Sequence, residues 1–101
     1  MHQKTWKKKL IYRSWHRGIK EADLLLGPFA DQYLNDFQED QLQLYESILS
    51  IPDQELIPIL YGQIELPKKY ENEVMLKLIK EIRGRRINYE SSVFLTKHSS
   101  L

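Results

Sequence analysis

Apolar residues recur at spacings of three and four along nearly the whole chain, and no segment alternates cleanly in the manner of a strand. A repeat near 3.6 residues sets one helix face against a core, whereas a half-buried strand needs a repeat of two. The chain is therefore expected to be all-α, a compact five-helix bundle forming a single domain. At 101 residues it can hold one small core. A deep substrate cavity would compete with that core for the same apolar side chains.

The spacing predicts a first helix over 4–16, with Trp6, Leu10, Ile11 and Trp15 inward, and a second over 18–34, with Ile19, Ala22, Leu25, Leu26, Phe29 and Tyr33 inward. Gly18 falls at the joint between them, and Gly27-Pro28 predicts a kink or two abutting helices. A third helix carries Leu42, Leu44, Tyr45, Ile48 and Leu49 and ends at Pro52. A short fourth starts at Asp53 as N-cap and runs to Gly62, with Pro58 awkwardly placed for it. The fifth covers 70–84, with Tyr70, Val74, Leu78 and Ile82 along one face and Gly84 as its stop. The bundle is thus expected over 1–84, followed by a mobile tail over 85–101.

Charge is strongly segregated. Residues 1–20 carry seven Lys or Arg and no acid, while residues 21–66 carry ten acids and no Lys or Arg. A basic stretch can attract a polyanion or pair with the acidic middle inside the fold. A net charge of +1 favours internal pairing.

With no cysteine there is no disulfide, thiolate metal site or cysteine nucleophile. His2, His16 and His98 lack metal-ligand spacing, and the four glycines are too dispersed for a phosphate loop. Asp31, Asp36, Glu39, Asp40 and Glu46 read as the wet side of amphipathic helices. The aromatic residues, at helical spacing, read as core. No apolar run is long enough to span a bilayer, and charges interrupt the stretch where a signal peptide needs its apolar run. A soluble, non-secreted protein is expected.

Against this plain pattern, Arg17, Gly18 and Glu21 stand out. Arg17 and Glu21 are four apart and could pair on a helix, but such a pair is worth only about 0.3–0.5 kcal/mol, and Arg before Glu is the weaker order. An arginine and a lysine at the positive end of a helix dipole, beside a glycine, add two further local conflicts. Conflicts of this kind concentrate at functional sites. A glycine admitting another backbone, between a planar donor fork and a carboxylate, describes a recognition surface.

The stretch "RSWHRGIKEADLLLGPFADQYL" resembles the hallmark of the succinate dehydrogenase assembly factor family, in which R-G-x-x-E precedes a "DLLLG-x-FA" run. "FQEDQLQLYESILSIPDQELIPIL" matches the family's next segment, so the resemblance covers roughly residues 8–80. It implies a five-helix bundle that is not an enzyme. Its partner would be the flavoprotein subunit of succinate dehydrogenase or fumarate reductase, and its role would be to promote covalent attachment of FAD to that subunit. FAD would be the partner's cofactor, with none bound tightly here. The implied partner-binding residues are Arg17, Gly18 and Glu21, with His16, Asp23 and Asp53 beside them. The family often has an aromatic near Ile59, where this chain reads "LIPILYG".

The expected protein is a monomer that binds neither nucleic acid nor membrane. It would be cytoplasmic in a bacterium or in the matrix of a mitochondrion, with the bacterial cytoplasm favoured. A small helical regulator that binds nucleic acid or acts as an antitoxin is the alternative, prompted by the acid-free first 20 residues.

Overall fold

The computed structural model describes residues 3–85. Among these the chain forms α1 (Gln3–Trp15), α2 (Lys20–Tyr33), a 3-10 turn (Leu34–Asp36), α3 (Glu39–Leu49), α4 (Asp53–Leu60), a second 3-10 turn (Lys68–Tyr70) and α5 over 73–85. The five helices share one core. Leu10 comes from α1, Leu26, Phe29 and Ala30 from α2, Leu42, Tyr45 and Ile48 from α3, Leu56, Ile59 and Leu60 from α4, and Val74, Met75, Leu78 and Ile82 from α5. Each set follows the three-and-four spacing read from the sequence.

Phe29 is the aromatic centre, with ring centroids 4.9 Å from Tyr33, 5.7 Å from Tyr45 and 6.2 Å from Phe37. One polar chain crosses this core. Ser14 donates to the Leu10 carbonyl at 2.8 Å, so its oxygen accepts from the Tyr45 hydroxyl at 2.6 Å. Burial pushes the Tyr45 phenol up to about 12. No buried side-chain polar atom lacks a partner among the described residues.

Several local expectations are corrected by tertiary packing. Gly27-Pro28 does not divide the second helix, because α2 continues from Lys20 to Tyr33 through Pro28. Gly27 is buried, and a Cβ there would lie 2.3 Å from the Trp15 indole. The glycine therefore lets the last residue of α1 rest on the α2 backbone. Trp15 is also held by Asp31, one turn further along α2, which accepts from the indole N–H at 3.2 Å.

Asp53 is not the N-cap of α4. Pro52 holds that position and its carbonyl receives the N–H groups of Glu55 and Leu56. Pro58 lies inside α4 rather than in its first turn. The fifth helix starts at 73, not 70, with the Asn72 side chain accepting from the Met75 N–H at 2.8 Å. Gly84 does not stop it, since 84 and 85 are helical. Arg85 reaches the Leu25 carbonyl at 3.4 Å, tying that end to α2. Apart from Arg85, the expected tail lies outside the described residues.

The opposite charges meet less than expected within the fold. Only two ion pairs are present among the described residues, Arg13–Glu46 at 3.4 Å and Arg17–Asp53 at 2.8 Å. The first is about half exposed on both sides and is worth little.

Candidate functional site: the joint between α1 and α2

The site grows from the position of Trp15. With its indole set on Gly27, α1 must end there, and residues 16–19 turn the chain into α2. Gly18 makes the turn at φ 105°, a left-handed conformation that a side chain would strain. A Cβ at Gly18 would meet nothing within 4 Å. The backbone on that side faces open space. Ile19, read from the sequence as an inward residue, is 46% exposed because the turn rotates it out of the helical register.

Arg17 points the other way. Its backbone N–H donates to Asp23 in the first turn of α2 at 2.6 Å, which closes the joint. Its guanidinium reaches the turn between α3 and α4, donating to the carbonyl of Leu49, to the carbonyl of Ile51 at 2.8 Å, and through Nε and Nη2 to Asp53 at 2.9 and 2.8 Å. Leu49 is the last residue of α3, where the backbone has unfilled acceptors and the dipole is negative, and Ile51 lies two residues beyond it in the turn to α4. Asp53 is the first residue of α4, at a positive dipole end. One cation therefore closes α3, binds the start of α4 and fixes both against the joint.

The Arg17 and Asp53 side chains are 10% and 18% exposed. Little water screens this contact. Removing one partner of a buried pair typically costs about 3–5 kcal/mol, because the remaining charge is left unmatched.

The Arg17–Glu21 pair is absent, since Arg17 precedes the helix and its donors are used elsewhere. Glu21 is exposed and accepts from the Tyr61 hydroxyl at 3.3 Å, linking the start of α2 to the end of α4. His16 stacks on the exposed Tyr12 ring at 3.9 Å and 15°, with Nδ1 2.7 Å from the Tyr12 carbonyl. A carbonyl can only accept, so Nδ1 carries the proton. The structure thus brings Arg17, Asp23 and Asp53 together as one internal clamp, with Gly18, Glu21 and His16 arrayed on its outer side.

No group of three or more metal-ligating side chains occurs among the described residues, and no helix there is long and apolar enough to cross a membrane. The fold and joint define a small all-helical protein in which the charged residues of the motif divide between framework and surface. Residues 8–83 match the family described as "Flavinator of succinate dehydrogenase", and the chain belongs to that family.

Relatives include the mitochondrial succinate dehydrogenase assembly factor 2 of Debaryomyces hansenii, 40% identical over 76 residues, covering 72% of this chain and 54% of that protein. The factor of the same name from Dictyostelium discoideum is 41% identical over 73 residues, covering 72% and 51%. The FAD assembly factor SdhE of Acetobacter pasteurianus is 31% identical over 80 residues, covering 79% and 73%. The chain spans about half the length of the two mitochondrial relatives. No solved structure matches it.

Proposed function

We propose that this chain is an assembly factor that binds the flavoprotein subunit of succinate dehydrogenase or fumarate reductase and promotes covalent attachment of FAD to it. The observation carrying the reading is the arrangement at the joint in a chain of this family. A largely covered arginine clamp holds a turn whose Gly18 borders open space, followed by the exposed Glu21 at the start of α2. Rigid presentation lowers the entropy lost on docking. The bond-forming chemistry belongs to the flavin and a histidine of the partner. This chain contributes binding energy that holds the unmodified subunit in a reactive arrangement.

Gly18 admits the partner backbone, Glu21 accepts from partner donors and His16 adds a polar contact. Arg17, Asp23 and Asp53 hold these in register. The protein acts as a monomer, without tightly bound FAD, nucleic acid or membrane, in the bacterial cytoplasm or the mitochondrial matrix.

The test is co-expression with the flavoprotein, reading covalent flavin by fluorescence on a denaturing gel. The wild type raises labelling, while Gly18→Arg and Glu21→Ala reduce it toward the level without this chain. Undiminished labelling with either variant removes that residue from the surface, and equal labelling without the chain ends the proposal.

A further inference from the structure

Next to the joint lies an open groove of about 550 Å³, lined by Ile19, Pro52, Asp53, Gln54, Ile57 and Pro58. One wall is the turn after Gly18 and the other is the first part of α4. The Arg17–Asp53 contact spans from one wall to the other, so it sets their separation. Ile19 is exposed although its spacing marks it for a core, and Ile57 is only partly covered. The single ionised side chain in the lining, Asp53, is matched by Arg17, leaving the groove without net charge.

Its backbone carries a defect. Pro58 sits inside α4 and has no N–H, so the carbonyl of Gln54 lacks its helical donor. An uncharged slot with isoleucines on both walls and an acceptor on one fits an extended, uncharged peptide segment. Such a segment brings a bulky apolar side chain for the isoleucines and a main-chain N–H for the carbonyl. The volume suits one or two large side chains.

We infer that this groove takes an extended, uncharged, apolar segment of the partner flavoprotein, with Ile19 and Ile57 gripping its side chain and the Gln54 carbonyl accepting its N–H. This rests on the flavoprotein reading above. It makes α4 part of the recognition surface and gives Arg17 a positioning role through the groove's width. The proline that looks misplaced in "LIPILYG" is then the residue that keeps the Gln54 acceptor available.

The experiment measures Kd between the purified flavoprotein subunit and the full chain, with the wild type, Ile57→Glu, Ile19→Glu and Pro58→Ala. Each variant is first checked for helicity and melting temperature. All three are expected to raise Kd about tenfold or more, as loss of a central contact does. Pro58→Ala is the variant that separates binding from stability. It supplies the missing N–H to Gln54 and strengthens α4, so its melting temperature holds or rises while affinity falls. If Ile57→Glu fails to fold, the surface variant Ile19→Glu and Pro58→Ala decide.

Wild-type affinity in folded Pro58→Ala and Ile19→Glu overturns the groove while leaving the flavoprotein reading intact. A wild type that does not bind the subunit overturns both. Self-association of the wild type, or its binding of free FAD, that Ile57→Glu abolishes would reassign the groove to a second copy or to the flavin and overturn the inference.

Discussion

Two left-handed glycines, each close to an arginine, make opposite uses of the same backbone freedom. At Gly62, φ is 75° and a Cβ would lie 3.0 Å from the Arg83 guanidinium. There the glycine ends α4, with the N–H groups of Gly62 and Gln63 returning to the carbonyls of Ile59 and Pro58. Arg83 lies over it, itself exposed. At Gly18 the arginine is its neighbour in sequence and its side chain is largely covered, while the glycine faces open space. The first glycine is used up by the fold. The second is turned outward by a fold that has already secured its arginine, and the difference separates a helix stop from the surface proposed above for the partner.

The largest effect is expected where the comparison is most unequal. Arg17→Ala or Asp53→Ala should destabilise the protein by about 3 kcal/mol in urea unfolding, since each leaves a buried charge unmatched. Arg83→Ala should change stability by less than about 0.5 kcal/mol, as for an ordinary surface substitution. Equal losses at Arg17 and Arg83 would erase the distinction between clamp and cover.

A somewhat smaller effect is expected from alkali. The Tyr45 phenol, pushed up to about 12 by burial, contributes stability that is complete below its unfolded value of about 10. That contribution is lost as pH rises through about 12, and amounts to roughly 2–3 kcal/mol. Because Ser14 lies just before the joint, unfolding across this range should loosen α1 from α3, and Tyr45→Phe should flatten the profile between about pH 10 and 12. An unchanged profile in Tyr45→Phe would assign the alkaline loss to another group.

The finest contrast lies in the glycines themselves. Gly18→Ala and Gly62→Ala should each cost about 1–2 kcal/mol through the left-handed backbone. Only Gly18→Ala should also lower covalent flavin on the partner at matched levels of folded protein. Loss of labelling in both variants would point to stability as the common cause.

The five helices were legible because each carries a long apolar stripe, and a stripe depends on spacing alone. Their ends were not. Gly84 has local stop chemistry, but α5 continues to the described end at 85, with Arg85 bound to α2. The motif was legible as an accumulation of local conflicts, yet the destination of Arg17 was hidden. Two of its acceptors are main-chain carbonyls at Leu49 and Ile51, 32 and 34 positions away, and a carbonyl has no side-chain signature. Asp53 was readable as a candidate through the family resemblance, although its helix-end position suggested a capping role instead of an ion pair. Ile19 and Ile57 were ordinary apolar letters; the turn at Gly18 leaves the first exposed, and the second is only partly covered.

The contact between Trp15 and Gly27 also bears on how the chain acquires its shape. Glycine followed by proline makes the middle of α2 a poor helix on its own, by a few kcal/mol relative to alanine. That deficit must be met by long-range packing, and the indole of α1 supplies it at the same residue. α1 and α2 are therefore expected to order together in one cooperative step. The turn that carries Gly18 would come into existence only with that step, so a folding intermediate holding the outward surface without the inner clamp has no place in the pathway.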